Sequence, residues 1–479
     1  MGIASLEIGK KALLAQRFGL DVTSNNIANA NTPGYSRRTA VFSEATPHFQ
    51  NGNFVGTGAV ADKLRTYREE FFDKEVRSTV SRNATYEADR NTMTRLEAIL
   101  NEPSENGLNE VTNKFLNAFD ELAIKPENEA QRENILGLAQ TLVDRFNITA
   151  RQINETRSET LNSLSQNVLS ANKLIEEIVD LNNGVSASKP LAASDSQSMI
   201  DKREEKLEEL TKLANVTVTQ ASNGMVNVYV NGINVVTGPI ASKLEVMEQV
   251  NSNTGERTAV IANKNANGDI INYISPENGE MKSQLKTYNV TLDDFDTSGG
   301  FSVATDLNKF VSNLVKEING LTQQGFGLDD KSGNPVGRNF FEPGVGNATA
   351  TTLALSNDVK GKPRDISISS KANEPGNSQI ASRIARISDN STFIDNQTPT
   401  EYYSGMVGRV GIMSREAASG YQTTQLVKEQ LINQRETIIG VNLDEEAVNL
   451  IKFQQAFDAA SRVINTTNEM LTTIVNLGR

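Results

Sequence analysis

Residues 24–35 read SNNIANANTPGY. Asn25, Asn26, Asn29 and Asn31 crowd the end of a segment whose upstream residues, MGIASLEIGKKALLAQRFGL, have the spacing of an amphipathic helix. Asn is a poor helix former, Pro33 disfavours helix at Thr32, and Gly34 permits a turn, so the helix is predicted to stop here. Amides at 25, 26 and 29 have both donors and acceptors and can fix register across a helix interface. A solvent-facing, frayed helix end fits the same residues equally well.

Working outward, the first helix carries Leu6, Leu13, Leu20 and Ile27 seven apart. A second row of smaller residues, Ile8, Ala12, Ala15, Gly19 and Val22, would let another helix approach closely. The far end of the chain repeats the pattern with Leu443, Leu450, Phe457, Ile464 and Leu471, accompanied by Phe453, Ala460 and Ile474. A heptad seam of this kind predicts a left-handed supercoil with a partner helix. A lone stripe would fit an ordinary core-facing helix. Two matching stripes at opposite ends predict that the first and last helices pack on each other or on neighbouring copies. Ordering a residue costs about 1–2 kcal/mol of backbone entropy against about 1.5–3 kcal/mol per buried Leu. Both ends are therefore expected to be loose in a monomer and ordered on assembly.

Between the ends the period identifies the elements. Residues 36–65 lack helical spacing and read as extended. Helices are expected over 69–101, 107–122, from Pro126 to about 183, 195–214 and 303–321. At Asn215 the period switches to alternation. VTVTQASNGMVNVYVNGINVVTG has Asn223-Gly224 and Asn231-Gly232 as turn pairs, and KLEVMEQV, RTAVIANK and DIINYI continue the strands. ATTLALSNDV and RDISISS read as short strands, with a helix at 377–388. Thr398 and Pro399 then start the last core helix as N-cap and first residue. The expected fold is α+β and elongated: a terminal coiled-coil pair (1–65 and 440–479), a long-helix bundle core (66–215 and 302–439), and an inserted small antiparallel β domain (216–301).

Composition excludes several kinds of chemistry. The chain has 479 residues and a formal charge of −12, which repels nucleic-acid phosphates. It has no Cys, so disulfides and thiol chemistry are excluded, and one His, His48, too few for a two-His zinc site. No apolar run is long enough to span a bilayer, so membrane insertion is not expected. The N-terminal segment interrupts its apolar residues with Glu7, Lys10, Lys11 and Arg17, so it has no signal-peptide core. MGIASL fits the short pattern for N-myristoylation, which needs a suitable host.

Site motifs are weak. Asp294, Asp296, Ser298 and Gly299 match the start of a calcium loop, but its twelfth position is Thr305 where a bidentate Glu is required. GTGAV at 56–60 lacks the third Gly of a phosphate loop, and EEKLEE at 204–209 reads as a solvated helix face. No catalytic, cofactor or metal site is expected.

The residues quoted first carry a resemblance. SNNIANANTPGYSRR resembles the N-terminal signature of bacterial flagellar rod, hook and hook-associated proteins. GVNLDEEAVNLIKFQQAFDAASRVINTTNEML is similar to the C-terminal end of the hook-associated branch. DKREEKLEELTKLANVTVTQ, VNVYVNGINVVTG and GFGLDDKSGNPVGRNFF extend the similarity through the middle. Asn25, Asn26, Ile27, Asn29, Thr32, Pro33, Gly34 and Tyr35 match the assembly motif. Leu443, Asp444, Glu445, Glu446, Gln454, Ala459 and Arg462 match at the other end. Arg38 stands where the family usually has Gln, and the insert has room for one outer domain where longer members have two.

What the resemblance implies is a non-enzymatic structural adaptor in the bacterial flagellum, assembling at the distal end of the hook to join it to the filament. It implies extracellular placement after type III export without a cleaved signal. The implied partners are neighbouring copies of the chain, the hook protein, the third hook-associated protein, and a cytoplasmic export chaperone on the C-terminal helix. Alternatives are another axial protein, from hook or distal rod, and a secreted wall-degrading enzyme.

Overall fold

A computed structural model describes the chain apart from residues 1, 33, 51–52, 106, 189–192, 253–254, 294–299, 332, 345–347 and 478–479. Helix α1 (Gly2–Ala28) is followed by β1 (Arg38–Glu44), β2 (His48–Gln50), β3 (Asn53–Val55) and β4 (Ala59–Thr66). The segment expected to be extended thus folds back on itself: β1 pairs antiparallel with β4, and β2 with β3. Then come α2 (Glu70–Leu100), α3 (Leu108–Ile124), α4 (Glu129–Ala187) and α5 (Ala193–Leu213). At 59 residues α4 is about 90 Å long, from a rise of 1.5 Å per residue, and it sets the elongated form. Its N-cap is Asn128, whose side chain accepts from the Gln131 amide at 3.2 Å.

Strands β5 (Val216–Gln220), β6 (Val226–Val230), β7 (Ile233–Thr237) and β8 (Ile240–Ala241) form one antiparallel sheet in chain order. Strands β9 (Lys243–Val250), β10 (Arg257–Lys264) and β11 (Ile270–Ile274) form another, with β10 central. Asn223, Gly224, Asn231 and Gly232 all have positive φ, as tight turns with these residues require. The rest of the insert departs from its β reading. Residues 280–286 form α6 (Glu280–Lys286), and a wide helical turn continues to Thr291. Met281, Leu285, Tyr288 and Leu292 recur at three- and four-residue spacing and are all buried, which favours helix there.

The last part comprises α7 (Val303–Thr322), α8 (Gln379–Ala385), α9 (Pro399–Ile439) and α10 (Leu443–Leu477). Thr398 caps α9 in a reciprocal box with Glu401, and Pro399 occupies the first turn. The two short strands expected at 350–359 and 364–370 do not form. Each contributes one isolated bridge, Phe341 with Leu355 and Phe326 with Ser369. Their apolar residues Leu353, Leu355, Ile366 and Ile368 are instead buried against helices.

Two cores result. The larger lies among α3, the first half of α4, α7, α8 and the start of α9, and includes a cluster of Phe115, Phe119, Phe340 and Phe341. The second is shared by the later half of α4, α5, both outer sheets and α6. The outer strands therefore rest on helices rather than closing a core of their own. Beyond both cores, α1 packs along α10 and α2 along α9. No described helix is long and apolar enough to cross a membrane.

Candidate assembly site at the paired termini

Of the smaller row read from α1, Ala15 and Gly19 are buried, while Ile8, Ala12 and Val22 are half-buried. Gly9, Ala15, Gly19, Thr23 and Asn26 are buried, whereas Leu6, Leu13, Leu20 and Ile27 are half-buried along the flank. A Cβ on Gly19 would lie 2.8 Å from the Phe453 ring, and one on Gly9 would lie 2.8 Å from Ile464. The backbones approach closely because these positions lack side chains. On α10 the seam runs through Glu446, Leu450, Phe453, Phe457, Ala460, Ile464, Thr467 and Leu471, all buried or half-buried. Leu443, in the first turn, is 52% exposed and off this seam. Away from this seam α10 leaves Val448, Ile451, Val463 and Met470 more than half exposed, and in its last turns Ile474 and Val475 are exposed as well.

The asparagines differ sharply from one another. Asn26 is 1% exposed. Its Nδ2 donates to the Arg38 carbonyl at 2.8 Å and to Glu446 Oε2 at 3.0 Å. Its Oδ1 accepts from the Tyr35 hydroxyl at 2.8 Å and from the Arg38 amide at 3.2 Å. One amide thus ties the end of α1 to the first residue of β1 and to the first turn of α10. Asn25 and Asn29 are not part of that crossing. The Asn29 side chain donates to the Asn25 carbonyl at 2.9 Å, and Asn25 Oδ1 accepts from the Tyr35 hydroxyl at 3.0 Å. The Thr32 hydroxyl donates to Asn29 Oδ1 at 3.3 Å, and Gly34 has φ +77°. Ile27 is half-buried, and Pro33 lies outside the described residues.

Charge completes the joint. Glu446, also 1% exposed, is met by Arg37 at 2.8 Å, and Arg37 reaches Glu445 at 2.8 Å. Burial works to lower the Arg37 guanidinium, but the hydrogen bond and charge of Glu446, with help from Glu445, raise it above the ordinary arginine range. Burial pushes the Tyr35 phenol up to about 12; Arg38 opposes this, while Asp201 and Glu446 reinforce it. Arg38 stacks over the Tyr35 ring at 4.9 Å and pairs with the buried Asp201 of α5 at 2.9 Å. The sequence reading had noted Arg38 only as a departure; its partner lies 163 residues away, and no local spacing reveals it.

Asp294, Asp296, Ser298 and Gly299 lie outside the described residues. Among the described residues no group of three or more His, Asp or Glu side chains is arranged to hold a metal ion.

The geometry agrees with what the chain is similar to. The family model described as flagellar hook-associated protein FlgK helical domain matches residues 93–341, just over half the chain. The chain belongs to that family. It is accordingly a structural protein of the bacterial flagellum. The flagellar basal body rod FlgEFG protein C-terminal model matches residues 438–477, and the flagella basal body rod protein model matches 6–35. Those two matches are the segments that Asn26 and Glu446 join.

Flagellar hook-associated protein 1 of Bacillus subtilis strain 168 is 25% identical, over 98% of this chain and 97% of its own. Its counterpart in Salmonella typhimurium is 21% identical, over 97% of this chain and 98% of its own. The solved flagellar hook junction protein FlgK from Burkholderia pseudomallei superposes with a TM-score of 0.65 at 12% identity. That match covers 76% of this chain and all of the solved one, a likeness of fold.

Proposed function

We propose that this chain is a non-enzymatic adaptor that assembles at the distal end of the hook and joins hook to filament through its paired termini. The observation that carries the proposal is the open apolar flank of α10. Four large side chains, Val448, Ile451, Val463 and Met470, are left in water on the side of the helix away from its pairing with α1. Large apolar side chains left exposed along a paired helix favour burial against further helices, and neighbouring copies supply them in a tube. In this reading 1–65 and 440–479 form the tube wall, 66–215 and 302–439 the core that meets neighbours, and 216–301 the outward β region. The hook protein lies below and the third hook-associated protein above. Before assembly, the same flank of α10 suits an export chaperone in the cytoplasm, and the chain leaves unfolded through the type III channel without losing a signal peptide.

The test is to incubate the purified chain with isolated hooks that lack filaments and to image the distal tips. Binding confined to tips by the full chain, and absent for a variant lacking 1–40 and 440–479, is expected. Coating along the whole hook would favour a hook or rod role, and absence of binding by the full chain would overturn the proposal.

A further inference from the structure

Helix α5 has two working faces. Asp201, Glu204 and Glu208 fall on one, and Arg203, Leu207, Leu210 and Ala214 on another roughly 120° round, at 3.6 residues per turn. Within the run 204–209, read from sequence as a solvated face, Glu205 is exposed, but Glu204 and Glu208 are half-buried and paired, and Asp201 extends that pairing one turn earlier. Asp201 meets Arg38 at 2.9 Å and Arg68 at 3.6 Å. Glu204 meets Arg77 at 3.0 Å, and Glu208 meets Arg435 at 3.2 Å. These arginines come from β1, the connection after β4, α2 and α9. Burial works to lower the Arg68 guanidinium, but Glu204, Asp73 and Asp201 more than offset it and keep it charged.

The second face belongs to the outer core. Leu207, Leu210 and Ala214 are buried with the β-sheets. Arg203 donates to Asn182 Oδ1 and to the Gly224 carbonyl, both at 2.9 Å. Asn182 in turn holds Val226 and Gly238 of the outer sheet.

We propose that α5 is a coupling strut: its acidic face clamps the terminal unit through Arg38, and its apolar face carries the outer β region, so that a shift in one is felt in the other. The route is continuous. Asp201 holds Arg38, both backbone polar groups of Arg38 are held by Asn26, and Asn26 holds Glu446. Breaking a buried ion pair by removing one partner is costly, because it strands the other charge. Coupling through such a link is reciprocal at equilibrium.

Amide exchange on the isolated full-length chain tests this, independently of hook binding. D201N should raise exchange in peptides covering 20–40 and 440–450 at least tenfold and leave strands 226–264 protected. L210A, on the apolar face, should raise exchange in the same terminal peptides more than L314A does. Leu314 lies in the core that α5 does not line, and the two variants are compared at equal loss of melting temperature. Should D201N fail to fold, R38Q/D201N removes the pair without an orphan charge and gives the same reading. Unchanged terminal peptides in the Asp201 variant would overturn the clamp. Equal effects of L210A and L314A there would overturn the coupling.

Discussion

Asn26 Nδ2 lies 3.0 Å from Glu446 Oε2 across 420 residues of chain, and both side chains are 1% exposed. This contact closes the chain on itself, because it joins the end of the first helix to the beginning of the last. Replacing Asn26 by Ala removes its hydrogen bonds to the Arg38 amide and carbonyl and takes a donor from a buried carboxylate. Each of these three hydrogen bonds is worth about 0.5–1.5 kcal/mol, so a loss of roughly 1.5–4.5 kcal/mol in the local stability of the joint is expected. Asn29→Ala, on a half-buried side chain whose bonds are local, should cost less, about 0.5–1 kcal/mol. Amide exchange across 24–40 and 440–450 distinguishes the two.

Tyr35 supports the same amide from the other side. Tyr35→Phe removes hydrogen bonds to Asn25 and Asn26, at about 0.5–1.5 kcal/mol each. The phenol is raised to about 12 in the folded chain against an ordinary value of 10. Between those values the unfolded chain gives up the proton first, so the contribution of Tyr35 is full below pH 10 and falls as pH rises towards 12. Urea unfolding of wild type and Y35F by circular dichroism should show a gap that is widest at pH 8 and narrows by pH 11. A gap that widens would contradict the direction of the shift.

Glycines on the seam test how closely the helices must approach. Ala is a better helix former than Gly by about 1 kcal/mol, so Gly→Ala in an open helix position should stabilise. Gly137 in α4 has nothing within 4 Å of its missing Cβ and should follow that rule. Gly19→Ala should reverse it, because the new methyl would meet the Phe453 ring at 2.8 Å and force the helices apart. Overpacking of this kind costs about 1–3 kcal/mol. The readout is exchange protection along 8–25, which should fall in G19A and stay unchanged in G137A.

The sequence reading was strongest where one element carries its own signal. Repeat spacing located the long helices, Thr398 and Pro399 marked the start of α9, and Asn-Gly pairs located the outer turns. It was weakest where a distant partner decides. Four asparagines look alike in sequence, and only the arrival of Arg38 and Glu446 separates Asn26 from the rest. Segment 350–359 has strand-like composition, yet its buried residues are taken up by helices and only one bridge forms. The acidic stripe of α5 looked like a solvated surface because its arginines come from four separate parts of the chain. Neither row read from α1 is the buried face as a whole: Ala15 and Gly19 are buried together with Gly9, Thr23 and Asn26, while the rest of the small row is half-buried like the leucines.

The aromatic residues separate stability from assembly. Phe119 is fully buried in the larger core, so Phe119→Ala should cost about 3–5 kcal/mol and lower the melting temperature of the monomer. Phe457 is only half-buried, on a helix whose neighbours within the chain cover one side. The terminal pair buries few large apolar residues, and its ordering entropy is correspondingly poorly offset in a single chain. Amide exchange in a dilute monomer should therefore show weak protection over 5–25 and 450–475. Phe457→Ala should scarcely move the monomer melt while abolishing hook-tip binding. Val463→Glu, on the open flank of α10, should do the same by placing a charge where a neighbouring helix would pack. A large fall in the monomer melt of F457A would show that Phe457 already belongs to a stable core, and normal tip binding by V463E would show that this flank faces water in the assembly.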